Sequence, residues 1–237
     1  MHSLKDLTTE QPEGLTLTAM VGREDPREML LMRPEAVDRD ALAAGAVLPL
    51  KQGAKVGTSA ARRQAQVRLH RPDVEILDLR GNVPTRVRKL REGMYDAILL
   101  ARAGIVRLEL DLADLETKPL AVDDFVPPPA QGMLGIQCRR DEALETALAP
   151  LHCPVDGAAV AAERLLLTRL DGGCQLPFGV NISGDGSRWK LELFLSADDH
   201  GANPLRLSLT GETPEAAAEM AWTKILEHRG NSGGDAG

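Results

Sequence analysis

Three groups of residues in this chain have types and spacings suited to chemistry. The first centres on Cys174, in the stretch "LLLTRLDGGCQLPFG" at 165–179, where an apolar, arginine-bearing helical pattern runs into two glycines and a cysteine. Glycine leaves the backbone unhindered, so a bulky group can approach closely. A loop cysteine can be a nucleophile or an attachment point, whereas a core cysteine is inert. On the residues alone, an incidental turn cysteine fits equally well. The second group is a run of nine cations (Arg62, Arg63, Arg68, Arg71, Arg80, Arg86, Arg88, Lys89, Arg91) set against three acids between residues 62 and 91. Arg68, Arg71, Arg88 and Arg91 read as solvated helix faces. Arg62 and Arg63 fall in the first turns of a helix opened by "GTS". That end of a helix already carries free N–H groups and positive dipole, so cations there imply an anionic ligand. Arg80 and Arg86 sit in "LRGNVPTR", where a strand ends and a helix begins, the place at which open α/β sheets bind ligands. Planar guanidinium groups match carboxylates, so a polycarboxylate is the expected ligand. The third group is "HSLKDL" at 2–7, with Lys5 beside Asp6. Alone it reads as a surface ion pair.

Composition narrows the classes. The 237 residues exceed one ordinary domain. Aromatics at 3% leave Leu, Val, Ala and Ile to build the core, and they argue against base stacking. A formal net charge of −7 argues against nucleic acid and anionic membranes as partners. No apolar run reaches the ~18 residues of a membrane span, and no secretory pattern opens the chain. Three cysteines, at 138, 153 and 174, lack CxxC spacing, and the five histidines show no metal-ligand spacing. No disulfide framework and no metal are expected, and a reducing, cytoplasmic setting is the simplest reading. No P-loop, zinc-protease helix or GxSxG elbow is present.

Short apolar runs alternating with helical patterns predict βα units around a sheet. Strands are expected at 15–21, 74–79, 95–101 and 133–138. Helices are expected at 59–70, capped by Thr58 or Ser59, and at 85–93, capped by Thr85 and ended by Gly93. The proline-rich "DDFVPPPAQG" at 123–132 cannot continue a helix and is expected to carry the chain between domains. Residues 143–170 read as helical with a break near "PLHCPVDG". The segments 188–196 and 204–211 alternate polar and apolar residues and predict antiparallel strands with one solvated face. A helix with a Thr cap and Pro at its first position follows at 213–230, and the tail 231–237 is expected to be disordered.

Taken together, "HSLKDL", "REDPRE", "GTSAARRQAQ", "LRGNVPTR", "YDAILLARAGIVRL" and "GGCQLPFG" resemble, in order and approximate spacing, the hydroxymethylbilane synthase family, also called porphobilinogen deaminase. The resemblance implies an enzyme of tetrapyrrole biosynthesis that joins four porphobilinogen molecules head to tail, releasing ammonia, into linear hydroxymethylbilane. It implies a dipyrromethane cofactor held by a thioether at Cys174, whose thiolate would capture an electrophilic azafulvene. Asp6 would be the catalytic group, a buried carboxylate acting at pyrrole nitrogens. Ser3, Lys5, Thr58, Ser59, Arg62 and Arg63 would surround the cofactor, and Arg80, Arg86 and Arg107 would take substrate carboxylates. The implied fold is α/β: a periplasmic-binding-protein-like two-domain cleft, its first domain incomplete, plus a small C-terminal α/β domain with antiparallel strands. By this analogy 1–23 with 119–142 form the remnant of the first domain, 24–118 the second, and 143–230 the cofactor-carrying third.

The chain also departs from the family. Met1 stands where valine is usual before "HSxKD", and the opening strand and helix have no counterpart. A misplaced start, a split gene with a separate N-terminal piece, or a non-catalytic tetrapyrrole-binding remnant would each explain this. Unpaired sheet edges then predict poor solubility or no activity for this chain alone. The family implies a monomer. Ala60 replaces the second serine of "GTSS", and "VPPPAQGML" replaces a passage closer to "PAxGQGA".

Overall fold

The computed structural model describes residues 1–170 and 176–232. The chain opens with β1 (His2–Ser3) and a single 3-10 turn (Leu4–Asp6), then β2 (Leu15–Val21). It crosses into a second layer through β3 (Glu28–Met32), α1 (Arg39–Ala43), β4 (Lys55–Gly57), α2 (Ala61–His70), β5 (Glu75–Leu77), α3 (Val83–Arg91), β6 (Ala97–Ala101), α4 (Arg102–Arg107) and β7 (Glu116–Pro119). It then returns to the first sheet as β8 (Leu134–Arg139). After α5 (Glu142–Leu148) and α6 (Pro154–Arg169) come β9 (Phe178–Gly184), β10 (Trp189–Leu195), β11 (Leu205–Gly211) and α7 (Pro214–Ser232).

The architecture is mixed α/β with three sheets, ordered β1-β8-β2, β5-β4-β6-β3-β7 and β11-β10-β9. In the five-stranded sheet, β4 runs parallel to β5 and β6, while β3 is antiparallel to both β6 and β7. β6 carries an unbroken apolar run because both faces of this central strand are covered: Ala97 and Leu99 pack on one side, Ile98 and Leu100 on the other.

Helix starts differ in detail from the sequence expectation. Ala60, with no side-chain cap, precedes α2, because Ser59 bonds Leu79 instead and Thr58 is buried. Asn82 caps α3 by accepting from the Thr85 N–H, so Thr85 is inside the helix. Gly93 ends α3 at φ +78, as its lack of a Cβ permits. Thr213 accepts from the Ala216 N–H and caps α7 as expected. Among the cations read as solvated, only Arg88 fits simply: Arg71 reaches the Leu48 and Leu50 carbonyls, Arg68 bonds the Asp199 carbonyl, and Arg91 pairs with Asp114 at 2.6 Å.

The third sheet packs one face on α6 and α7. β11 alternates as predicted, but β10 is buried on nearly all positions. Its second face is covered because Phe194 sits with Ala65 of α2 and Val126 of the proline-rich crossover. That segment joins the layers directly: the Pro127 carbonyl accepts from the Val180 N–H at 2.9 Å.

Candidate active site

The parallel strands β4, β5 and β6 end at one edge of the central sheet, where the chain turns into α2, α3 and α4. β3 runs the other way and starts at that edge, with Glu28 opposite Ala101. Register therefore brings the first residue of β3 to the first turn of α2.

There the Glu28 carboxylate, with no exposure, receives Arg62 Nη2 at 2.5 Å and Arg63 Nε at 3.1 Å on Oε1, and Arg63 Nη2 at 2.7 Å on Oε2. Arg62 also donates to the Val126 carbonyl at 2.7 Å, and Arg63 to the Leu99 carbonyl at 3.0 Å. Burial alone would raise the Glu28 pKa, but the Arg63 and Arg62 guanidinium groups outweigh it and hold the carboxyl well below the usual carboxylate range. Burial and the neighbouring Arg63 bring Arg62 down to about 10, against the pull of Glu28. The cations at this helix start thus already face an anion, supplied by the chain itself. Only sheet register pairs residues 34 apart in this way.

The 3-10 turn lies beside this cluster. Leu4 points inward against Ala130, Met133 and Val160, and its N–H donates to the Met133 carbonyl at 2.9 Å. The half-buried Lys5 donates from Nζ to Gln131 Oε1 at 3.1 Å, and Gln131 is fixed in turn by its bond to the Pro26 carbonyl at 2.7 Å. Burial and the Arg63 charge, with a smaller push from Arg62, bring the Lys5 ammonium down to about 8 despite Glu28 and Asp6. Asp6 is exposed, which corrects the expectation of a buried carboxylate: a three-residue turn that buries Leu4 presents Asp6 to solvent. Asp6 acts on Lys5 and Arg86 through charge, without a hydrogen bond among the described residues.

The other expected residues divide. Ser3 precedes the turn without capping it. Thr58 is buried, and Ser59 stitches the β4–α2 loop to Leu79, donating to its carbonyl at 3.1 Å and accepting from its N–H at 2.9 Å. Arg86 donates to the Gly81 carbonyl at 2.7 Å; burial and Arg63 lower its pKa, and Asp6 opposes them. Arg80 stands in solvent, 84% exposed, 3.5 Å from Asp78. Arg107 is committed to the backbone, donating to the Gly22 and Gly132 carbonyls at 3.0 and 2.6 Å. Cys174 lies outside the described residues. Lys5, Asp6, Arg62, Arg63 and Arg86 form one electrostatic group. A depression of about 590 Å³ near Thr16, Arg140 and Glu145 shares no residue with it.

Sequence reasoning missed Glu28, Gln131, Arg23 and Glu163. Arg23 donates to Glu163 at 2.8 Å, both side chains nearly or fully buried. Glu163 also accepts from the Ala130 and Ile182 N–H groups, at 2.7 Å each, so it ties α6, β9 and the crossover together. The available signal was an acid next to an arginine in an otherwise alanine- and leucine-rich helix.

The family model described as "Porphobilinogen deaminase, dipyromethane cofactor binding domain" matches residues 1–146, which include the turn, Glu28 and both α2 arginines. The curated porphobilinogen deaminase of Trichlorobacter lovleyi is 43% identical over 91% of this chain and 65% of its own length. That of Geotalea daltonii is 40% identical over 100% of this chain and 70% of its own. That of Geobacter sulfurreducens is 42% identical over 89% of this chain and 63% of its own. The chain thus spans about two thirds of the length of the curated relatives it matches. Among solved structures, an arginine-specific periplasmic binding protein of Salmonella typhimurium overlaps 59% of this chain and 58% of its own at TM-score 0.34 and 16% identity. A substrate-binding protein of Streptococcus pneumoniae bound to L-arginine overlaps 63% of this chain and 58% of its own at TM-score 0.35 and 14% identity. The family model over residues 1–146, with curated relatives at 40–43% identity, makes the chain a member of the porphobilinogen deaminase family.

Proposed function

We propose that the chain acts as a hydroxymethylbilane synthase, condensing four porphobilinogen molecules head to tail with release of ammonia, in a cytoplasmic setting and as a monomer. In this reading Cys174 holds a dipyrromethane by a thioether, and that group supplies the growing end onto which pyrroles are added. The observation that carries the reading is the charge of the group around Glu28. One carboxylate faces Arg62, Arg63 and Lys5, so at neutral pH the site keeps an excess of positive charge beside the exposed Asp6. A ligand bearing acetate and propionate arms fits such a group, because its negative charge would balance the cationic excess that the single Glu28 carboxylate leaves.

The assignments are those the family resemblance implies. Arg62, Arg63 and Lys5, with Ser3, Thr58 and Ser59 near them, hold the cofactor's carboxylates. Arg86 and Arg80 bind those of the incoming substrate, and Arg107 would join them only through guanidinium nitrogens other than the one held by the Gly22 and Gly132 carbonyls. Asp6, unpaired and solvent-facing, offers a carboxylate that stabilises positive charge at a pyrrole nitrogen and moves a proton there. Lys5, its ammonium brought down to about 8 chiefly by burial, places a positive charge next to Asp6. Intact-protein mass spectrometry after expression with porphobilinogen tests the reading. The expected result is an added mass of two pyrrole units on Cys174, absent in Cys174→Ser. An unmodified cysteine in porphobilinogen-replete cells would overturn it.

A further inference from the structure

Arg164 of α6 has no place in the site described so far, yet it reaches that site. Its Nη1 donates to the Leu4 and Leu7 carbonyls, at 3.0 Å each, and its Nη2 to the Thr8 carbonyl at 2.7 Å. The side chain is buried, with no carboxylate partner among the described residues. A desolvated guanidinium is costly unless its donors find acceptors, and here three carbonyls from one short segment take three of its five N–H groups. The turn they belong to is weak by itself, with Leu7 N–H to the Leu4 carbonyl at 3.2 Å closing its three residues. Leu4 is already anchored by apolar packing and by its bond to Met133. What Arg164 adds is the direction of residues 5–8.

We propose that Arg164 is a positioning residue whose guanidinium clasps the Lys5–Asp6 turn to α6, fixing Asp6 relative to that helix. The preceding residue, Glu163, grips Ala130 next to Gln131, the hydrogen-bond partner of Lys5. Adjacent residues on one helix thus hold both supports of Lys5. The planar fork matters: lysine carries its donors on one nitrogen and lacks the second from which Arg164 reaches Thr8.

The clasp is a geometric claim; its effect on turnover rests on the activity proposed above. The test compares the full chain with Arg164→Met and Arg164→Lys. In Arg164→Met, amide exchange at Leu7 should accelerate at least tenfold, while Ala130 and Ile182, held by Glu163, keep their protection. Turnover of porphobilinogen should fall tenfold or more in kcat with KM within twofold, and Arg164→Lys should fall between the two on both measures. Unchanged Leu7 exchange, unchanged kcat, or a loss of protection spread equally over Ala130 and Ile182 would overturn the proposal. If the unsubstituted chain carries no adduct on Cys174 and consumes no porphobilinogen, the proposed activity fails. Exchange then decides the clasp by itself.

Discussion

Glu28→Gln isolates the electrostatics of the buried cluster. The substitution keeps shape but removes the charge that Arg62 and Arg63 share, and it turns an amide donor toward a guanidinium. Both arginine side chains are more than nine-tenths buried, so water cannot replace the lost partner. At an effective dielectric of about 20, each guanidinium–carboxylate pair near 4 Å contributes roughly 4 kcal/mol. Repulsion between the two cations cancels part of that sum, and relief of the buried carboxylate's desolvation cancels more. A net loss of about 3–5 kcal/mol remains, the range for breaking a buried pair from one side. At about 3 °C per kcal/mol for a chain of this size, the unfolding midpoint should fall by roughly 10 °C. Because the folded-state pKa of Glu28 is depressed, its stabilisation is present above the ordinary carboxylate range and is lost as pH falls through the depressed value. Thermal or urea unfolding of both proteins should therefore show a constant gap from neutral pH down to about 5, narrowing only in strong acid. A gap below about 1 kcal/mol at pH 7, or one that closes at pH 5, would refute the claim that this carboxylate balances two desolvated cations.

Lys5, whose ammonium is lowered to about 8 chiefly by burial, should make stability rise with pH between about 8 and its ordinary value of 10.5, since the unfolded chain holds the proton longer. Tracking the amine's reactivity toward an acylating reagent against pH checks the value, and Gln131→Leu should shift that profile. Asp6→Asn should leave the unfolding free energy unchanged within about 0.5 kcal/mol, since Asp6 is exposed and makes no hydrogen bond among the described residues. Its turnover should drop by about a hundredfold or more, measured as porphobilinogen consumption. Gly132→Ala should destabilise by more than about 3 kcal/mol, combining a left-handed backbone penalty with a steric clash. A Cβ at φ +88 would lie 2.0 Å from the Glu24 carbonyl oxygen, and yield of soluble protein with its urea midpoint reads the loss.

Local pattern was a good guide to elements. The apolar run at 97–101, the interrupted helix after residue 142 and the Thr-Pro start of α7 were all legible because hydrophobic periodicity and capping act within a few residues. Errors came where a distant surface covered a local face. β10 lost its solvated side to Phe194 packing on α2, and Ser59 gave up capping to bond Leu79. The arginine cluster was visible as charge, but not its partition. Arg71 and Arg91 anchor loops, Arg107 holds backbone, and Arg62 with Arg63 pair with Glu28.

By itself the sequence determined the chemistry on offer: which residues can bind carboxylates, carry a proton or form a thioether, and which family motifs they compose. It also determined most helices and strands, through short-range forces. Only the tertiary structure decided which of those groups meet and in what state of solvation. Sheet register carried Glu28 to α2, a three-residue turn put Leu4 inside and Asp6 outside, and α6 reached back to hold that turn. Charge and burial at a site depend on residues far apart in the chain, and a pattern read along the chain does not contain those distances.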